Sequence, residues 1–97
     1  MIEEPKILRI AQEVASANLS SSASIANITS KPFIDSEGHD ALRITIVLRP
    51  GGLDRIEGDA TLDTLIQIQR KLQEAGEDRF PLVEYATEGE IEDGGDS

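Results

Sequence analysis

Residues 41–49, ALRITIVLR, alternate large aliphatic side chains with polar or smaller ones. Successive side chains of an extended chain point to opposite faces, so Leu42, Ile44, Ile46 and Leu48 share one side and Arg43, Thr45, Val47 and Arg49 the other. The stretch is therefore predicted to be a strand with one buried face.

Its neighbours in sequence set the connections. Upstream, DSEGHD at 35–40 holds residues that tolerate tight backbone angles and bond their own backbone, which predicts a hairpin turn. Before it, β-branched Ile25, Ile28, Thr29 and Ile34 suit a strand across 24–34, with Pro32 an interruption or the mark of a sheet edge. Downstream, Pro50-Gly51-Gly52 stops the central strand, and Leu53 to Glu57 add a short extended piece before Gly58.

Two helices are expected. Over 5–18, steps of 100° per residue gather Ile7, Leu8, Ile10, Ala11, Val14 and Ala15 on one half-circle, with Leu19 just beyond the helix end continuing that side and Arg9, Gln12, Glu13 and Ser16 opposite. Pro5 suits the first turn, and SANLSSSAS at 16–24 reads as a connector. A second helix begins near Asp59 or Thr61 as cap, carries Leu62, Leu65, Ile66, Ile68 and Leu72 as its apolar stripe, and stops at Gly76. RFPLVEYAT at 79–87 reads as a last strand with Pro81 at its start or on an edge.

The fold class that follows is α+β. Residues 1–87 make a small two-layer domain, ordered helix-strand-strand-helix-strand, with about three strands in a mixed or antiparallel sheet and both helices on one face. The last strand runs parallel to 41–49 after a helical crossover, or antiparallel to the first strand if it pairs there. Residues 88–97 hold five acids, no base and a single large apolar residue, so they are expected to be a disordered acidic tail.

Composition narrows the partners. A net charge of −10 repels phosphate backbones and anionic headgroups, which disfavours direct nucleic-acid and membrane-surface binding. With no cysteine there is neither a disulfide framework nor a thiolate metal site, and no apolar run reaches spanning length. A cytoplasmic protein is expected. Only Phe33, Phe80 and Tyr85 are aromatic, too few for a base-stacking platform.

Chemistry is concentrated in one place, the 35–40 loop. Asp35, Glu37 and Asp40 alternate like the first ligands of a calcium loop and His39 adds a nitrogen, yet the later oxygens such a loop needs are replaced by the alternating strand. The turn reading is favoured over the metal reading. His39 has no nucleophile or second acid-base group near it in sequence, and no phosphate loop follows Gly52, so no catalytic residue and no cofactor is assigned. Arg43 and Arg49, on the outer face of the central strand, are candidate partner contacts or balance neighbouring acids, and Gln69 and Gln73 mark either an interface or the rim of the second helix's stripe.

The function expected on these grounds is that of an acidic interaction module without catalysis. It is adaptor-like or antitoxin-like, a candidate homodimer, and directed at another protein of basic character. The competing expectation is a small-molecule or metal-binding domain, or an enzyme, using Asp35, Glu37, His39 and Arg43.

Overall fold

The computed structural model describes residues 2–19, 25–51 and 58–88. The extended piece expected at 53–57, most of the serine-rich connector and the acidic tail beyond Glu88 lie outside the described residues. The elements are α1 (Glu4–Asn18), β1 (Ile25–Ile34), β2 (Asp40–Leu48), α2 (Gly58–Glu74) and β3 (Phe80–Thr87). They form an α+β domain with a mixed, three-stranded sheet in the order β1-β2-β3.

β2 is the centre, as its alternation predicts. β1 pairs with it antiparallel through the 35–39 turn, and β3 pairs on its other side in parallel. Leu42, Ile44, Ile46 and Leu48 are all at most 1% exposed. Against them pack Ile7, Ala11, Val14, Ala15 and Leu19 from α1 and its end, and Ile68 and Leu72 from α2. Both helices thus lie on one face of the sheet, over a buried aliphatic cluster against which Val83 and Tyr85 of β3 pack half-buried.

α1 starts one residue earlier than predicted, with Pro5 in its first turn and the N–H groups of Lys6 and Ile7 donating to the Glu3 carbonyl. α2 corrects the predicted stripe. Leu62 and Ile66 are exposed, whereas Thr64, absent from that stripe, is fully buried. At about 100° per residue, Thr64 and Leu72 flank Ile68 by about 40° on the wheel, while Leu62 and Ile66 lie about 120° and 160° away. Threonine is admitted because its hydroxyl donates to the Ala60 carbonyl at 2.7 Å, leaving a methyl for the core. Asp59 and Thr61, expected as caps, lie within the helix.

The helix pair is keyed by amides. Asn18 Nδ2 donates to Gln67 Oε1 at 3.1 Å and Gln67 Nε2 donates to Asn18 Oδ1 at 3.2 Å, a reciprocal bond from α1 to α2.

α2 ends as Gly76 requires. The Glu77 N–H donates to the Leu72 carbonyl and the Gly76 N–H to the Gln73 carbonyl, a Schellman arrangement with Gly76 at φ +99°. An added Cβ there meets nothing within 4 Å, so Gly76→Ala is expected to cost only the left-handed conformation, about 1 kcal/mol, read as a lower urea midpoint at unchanged slope.

β1 is an outer strand. The Asp35 N–H donates to the His39 carbonyl at 2.9 Å, and alternation from that pair turns the backbone of Ile28, Ser30, Pro32 and Ile34 outward. Pro32 therefore removes a donor from the free edge and none from the sheet.

Candidate functional site

The second sheet face carries no described helix. Its register rows run Phe33, Ala41 and Phe80, then Lys31, Arg43 and Leu82, then Thr29, Thr45 and Glu84, then Asn27, Val47 and Ala86, with Val47 buried although it lies on this face. Phe80 is 60% exposed and Leu82 39%, while Ala41, between two phenylalanines across the register, is buried. The Arg43 guanidinium lies 5.0 Å from the centre of the Phe33 ring, and its Nε is 3.8 Å from Glu84 Oε1, which also accepts from the Thr45 hydroxyl at 3.0 Å. Arg43 is thus balanced by an acid on its own face. Arg49 is exposed just past the end of β2.

At the turn end of the sheet, Asp35 organises the hairpin. Its Oδ1 accepts from the backbone N–H groups of Glu37 and His39, both at 2.9 Å, while the Gly38 N–H donates to its carbonyl with Gly38 at φ +86°. These bonds, that from His39 foremost, hold the Asp35 carboxyl below its ordinary pKa. His39 Nδ1 stands 3.8 Å from Asp35 Oδ2 and 3.6 Å from Glu37 Oε2. An Asp35 oxygen bound to two N–H groups has already found its donors in the turn. Among the described residues no group of three or more His, Cys, Asp or Glu is placed to hold a metal ion.

The same end holds an open cavity of about 560 Å³ lined by Asp35, His39, Asp40, Asp78, Arg79 and Phe80. A second one of about 620 Å³ lies beyond Phe80, where Gln69 and Gln73 of α2 face Asp78 and Arg79. Sequence reasoning placed Asp35, His39 and Asp40 in one loop. It did not bring them to Asp78, Arg79 and Phe80, which arrive through the α2–β3 connection and the parallel pairing of Phe80 with Ala41.

Sequence reasoning also missed the most buried polar cluster. Glu77 is buried, its side chain fully, and both its oxygens are saturated. Oε2 accepts from the Arg79 backbone N–H at 2.9 Å and Arg79 Nε at 2.8 Å, and Oε1 accepts from Arg79 Nη2 at 2.9 Å and the Ile2 N–H at 3.0 Å. Arg79 Nη2 donates in addition to the Ile2 carbonyl at 3.3 Å. The bidentate bond from Arg79 is the main cause holding Glu77 at a pKa of about 2, against the opposing effect of burial. A faint signal was available: the position after a C-terminal glycine ordinarily takes an apolar residue packed back on the helix, and here it is a glutamate followed two residues later by an arginine.

On α2, Gln69 is half-buried at the rim of the buried arc, whereas Gln73 is exposed, about 140° from Ile68 on the wheel. Compared with known proteins, the chain matches no family model, no curated protein and no solved structure. No helix among the described residues is long and apolar enough to cross a membrane.

Proposed function

We propose that the protein is a cytoplasmic interaction module that binds a basic protein surface at the turn end of its sheet, in an adaptor-like or antitoxin-like manner and without catalysis. The observation that carries this reading is Phe80. A phenylalanine 60% exposed is set in a cavity walled by Asp35, Asp40 and Asp78. A lysine or arginine of a partner would lay its stem on the ring and its charge among the carboxylates. Arg79 lines the same cavity, but its guanidinium is committed to Glu77. The net charge of −10 supports the reading from a distance, since it draws a basic partner in and speeds encounter.

The test is recovery of the full chain from its native host at low salt. A basic protein is expected to be retained, to be released as salt rises, and to bind at least about tenfold more weakly to Phe80→Ala or Asp40→Asn. Both side chains are exposed, so the variants should fold normally. A chain recovered alone at every salt concentration overturns the reading, as does a partner indifferent to both substitutions.

A further inference from the structure

We infer that the outer edge of β1, with the groove beside it, takes a short extended segment of a basic partner protein as a fourth strand. Hydrogen bonding is the first argument. The outward backbone of Ile28 and Ser30 offers an N–H and a carbonyl at each residue, Pro32 adds a further carbonyl, and no described strand pairs with this edge. The run is bounded at both ends. The register slips between Ile25 and Asn27, and Pro32 has no N–H to give. A segment of a few residues satisfies such an edge, and a full-length strand does not.

The groove supplies the second argument. Two open cavities lie along it between α1 and β1. One of about 390 Å³ is bordered by Glu3, Glu4 and Ile7 at the start of α1 and by Ser30 and Pro32 of β1. The other, of about 230 Å³, lies between Leu8 and Gln12 of α1 and residues 25–28 of β1. Glu4, Leu8 and Gln12 follow one another at four-residue intervals, so a single row of α1 overlooks the whole groove. A strand added to β1 sends every second side chain, about 7 Å apart, to the helical side of the sheet. Such side chains enter the two cavities, and Ile34, on the same side of β1 and 69% exposed, extends their apolar floor past the end of the helix. Main-chain bonds for affinity and pockets for alternate side chains are the two requirements of strand addition.

Charge commits the occupant. The cavity beside residues 25–28 is bordered by no charged side chain, whereas Glu3 and Glu4 border the other, and Asp35 follows Ile34 at the turn. Arg79 also borders that second cavity, but its guanidinium is committed to Glu77. The segment that fits is therefore apolar at alternate positions and carries lysine or arginine where it passes the first turn of α1. For that charge the inference rests on the basic-partner reading. It differs in place: Phe80 belongs to the helix-free face, and the groove lies on the helical side of β1.

The experiment is amide hydrogen exchange of the full chain, read in proton–nitrogen spectra at about 50 mM salt, where charges act over roughly 14 Å. The probes are two synthetic peptides in which valine and threonine alternate, with lysines leading in one and trailing in the other. In the free chain the Ile28 and Ser30 amides should exchange fast beside slow Thr29 and Lys31, whose N–H groups face β2. One of the two peptides is expected to slow Ile28 and Ser30 at least tenfold, and which one it is gives the direction of the added strand. Methylating alternate backbone nitrogens of that peptide should abolish the effect in one phase and spare it in the other. Glu4→Lys, at an exposed position, should weaken binding at least fivefold with the circular dichroism spectrum unchanged, and Leu82→Ala, on the helix-free face, should not. If neither peptide slows the two amides at millimolar concentration, strand addition is overturned, and the salt and Phe80→Ala tests still decide the basic-partner reading. A peptide that binds while perturbing only the surroundings of Phe80 overturns the edge and upholds that reading. Protection of Ile28 and Ser30 that grows with protein concentration and needs no peptide gives the edge to a second copy and overturns the inference.

Discussion

Ile44→Asp is expected to leave the chain unfolded at 25 °C in the absence of stabilising solutes. Ile44 is fully buried on the central strand, between Ser30 of β1 and Val83 of β3 in the register and beneath both helices. The substitution removes a large aliphatic group and leaves a carboxylate, and the apolar neighbours supply no cation. Loss of the packed volume alone costs about 2–5 kcal/mol, and burying an unpaired polar or charged group adds several more. A domain of this size has about 5–10 kcal/mol to lose. Far-UV circular dichroism and amide dispersion in a proton–nitrogen spectrum check it. Arg43→Asp, one residue away on the other face, is the control and should stay folded; equal loss in both would mean that position rather than facing decides.

Glu77→Ala is expected to cost about 3 kcal/mol and to flatten the acid limb of the stability profile. Breaking a buried ion pair from one side strands the other charge, and Arg79 keeps only the Ile2 carbonyl among the bonds described above. The sign with pH follows from the pKa. Folding lowers the Glu77 value from 4.5 to about 2, so the folded state binds the proton less readily than the unfolded one. The stabilisation is fully present above about pH 5 and drains away as pH falls from 4.5 through 2. At 1.36 kcal/mol per unit that is at most about 3 kcal/mol, and less where the rim of the cluster is wetted. Urea titrations of wild type and variant between pH 2 and 6 should therefore converge at the acid end. Parallel curves would assign the acid sensitivity to other carboxylates.

The fold was legible because β2 speaks twice. Its alternation names a half-buried strand, and the turn-forming loop before it names an antiparallel neighbour; whether the last strand joined it in parallel or paired with β1 instead stayed open in the sequence, and the structure gives the parallel pairing. α2 was harder. Leu62 and Ile66 widened its apolar arc until the wheel pointed between two faces, and a buried threonine cannot be told from an exposed one by letter. The site was half legible. Asp35 announces a turn by its place before Ser-Glu-Gly, and the turn is what it makes. The meeting of Asp40 with Asp78 and Phe80 depends on a strand pairing some forty residues apart, which no local pattern encodes. Glu77 and Arg79 were invisible for a related reason: their third partner is Ile2, at the far end of the chain.

Pro32 bears on something larger than one molecule. A three-stranded sheet has two open edges, and if each could recruit its like, every addition would expose a fresh edge and growth would never terminate. Faces that pair by a two-fold stop at two copies; edges do not. By withholding one N–H near the turn end of the longer edge, Pro32 interrupts the template on which an incoming strand would have to build. The proline that looked like an imperfection in a strand thereby weakens that edge as a template, at no cost in hydrogen bonds to the sheet it borders.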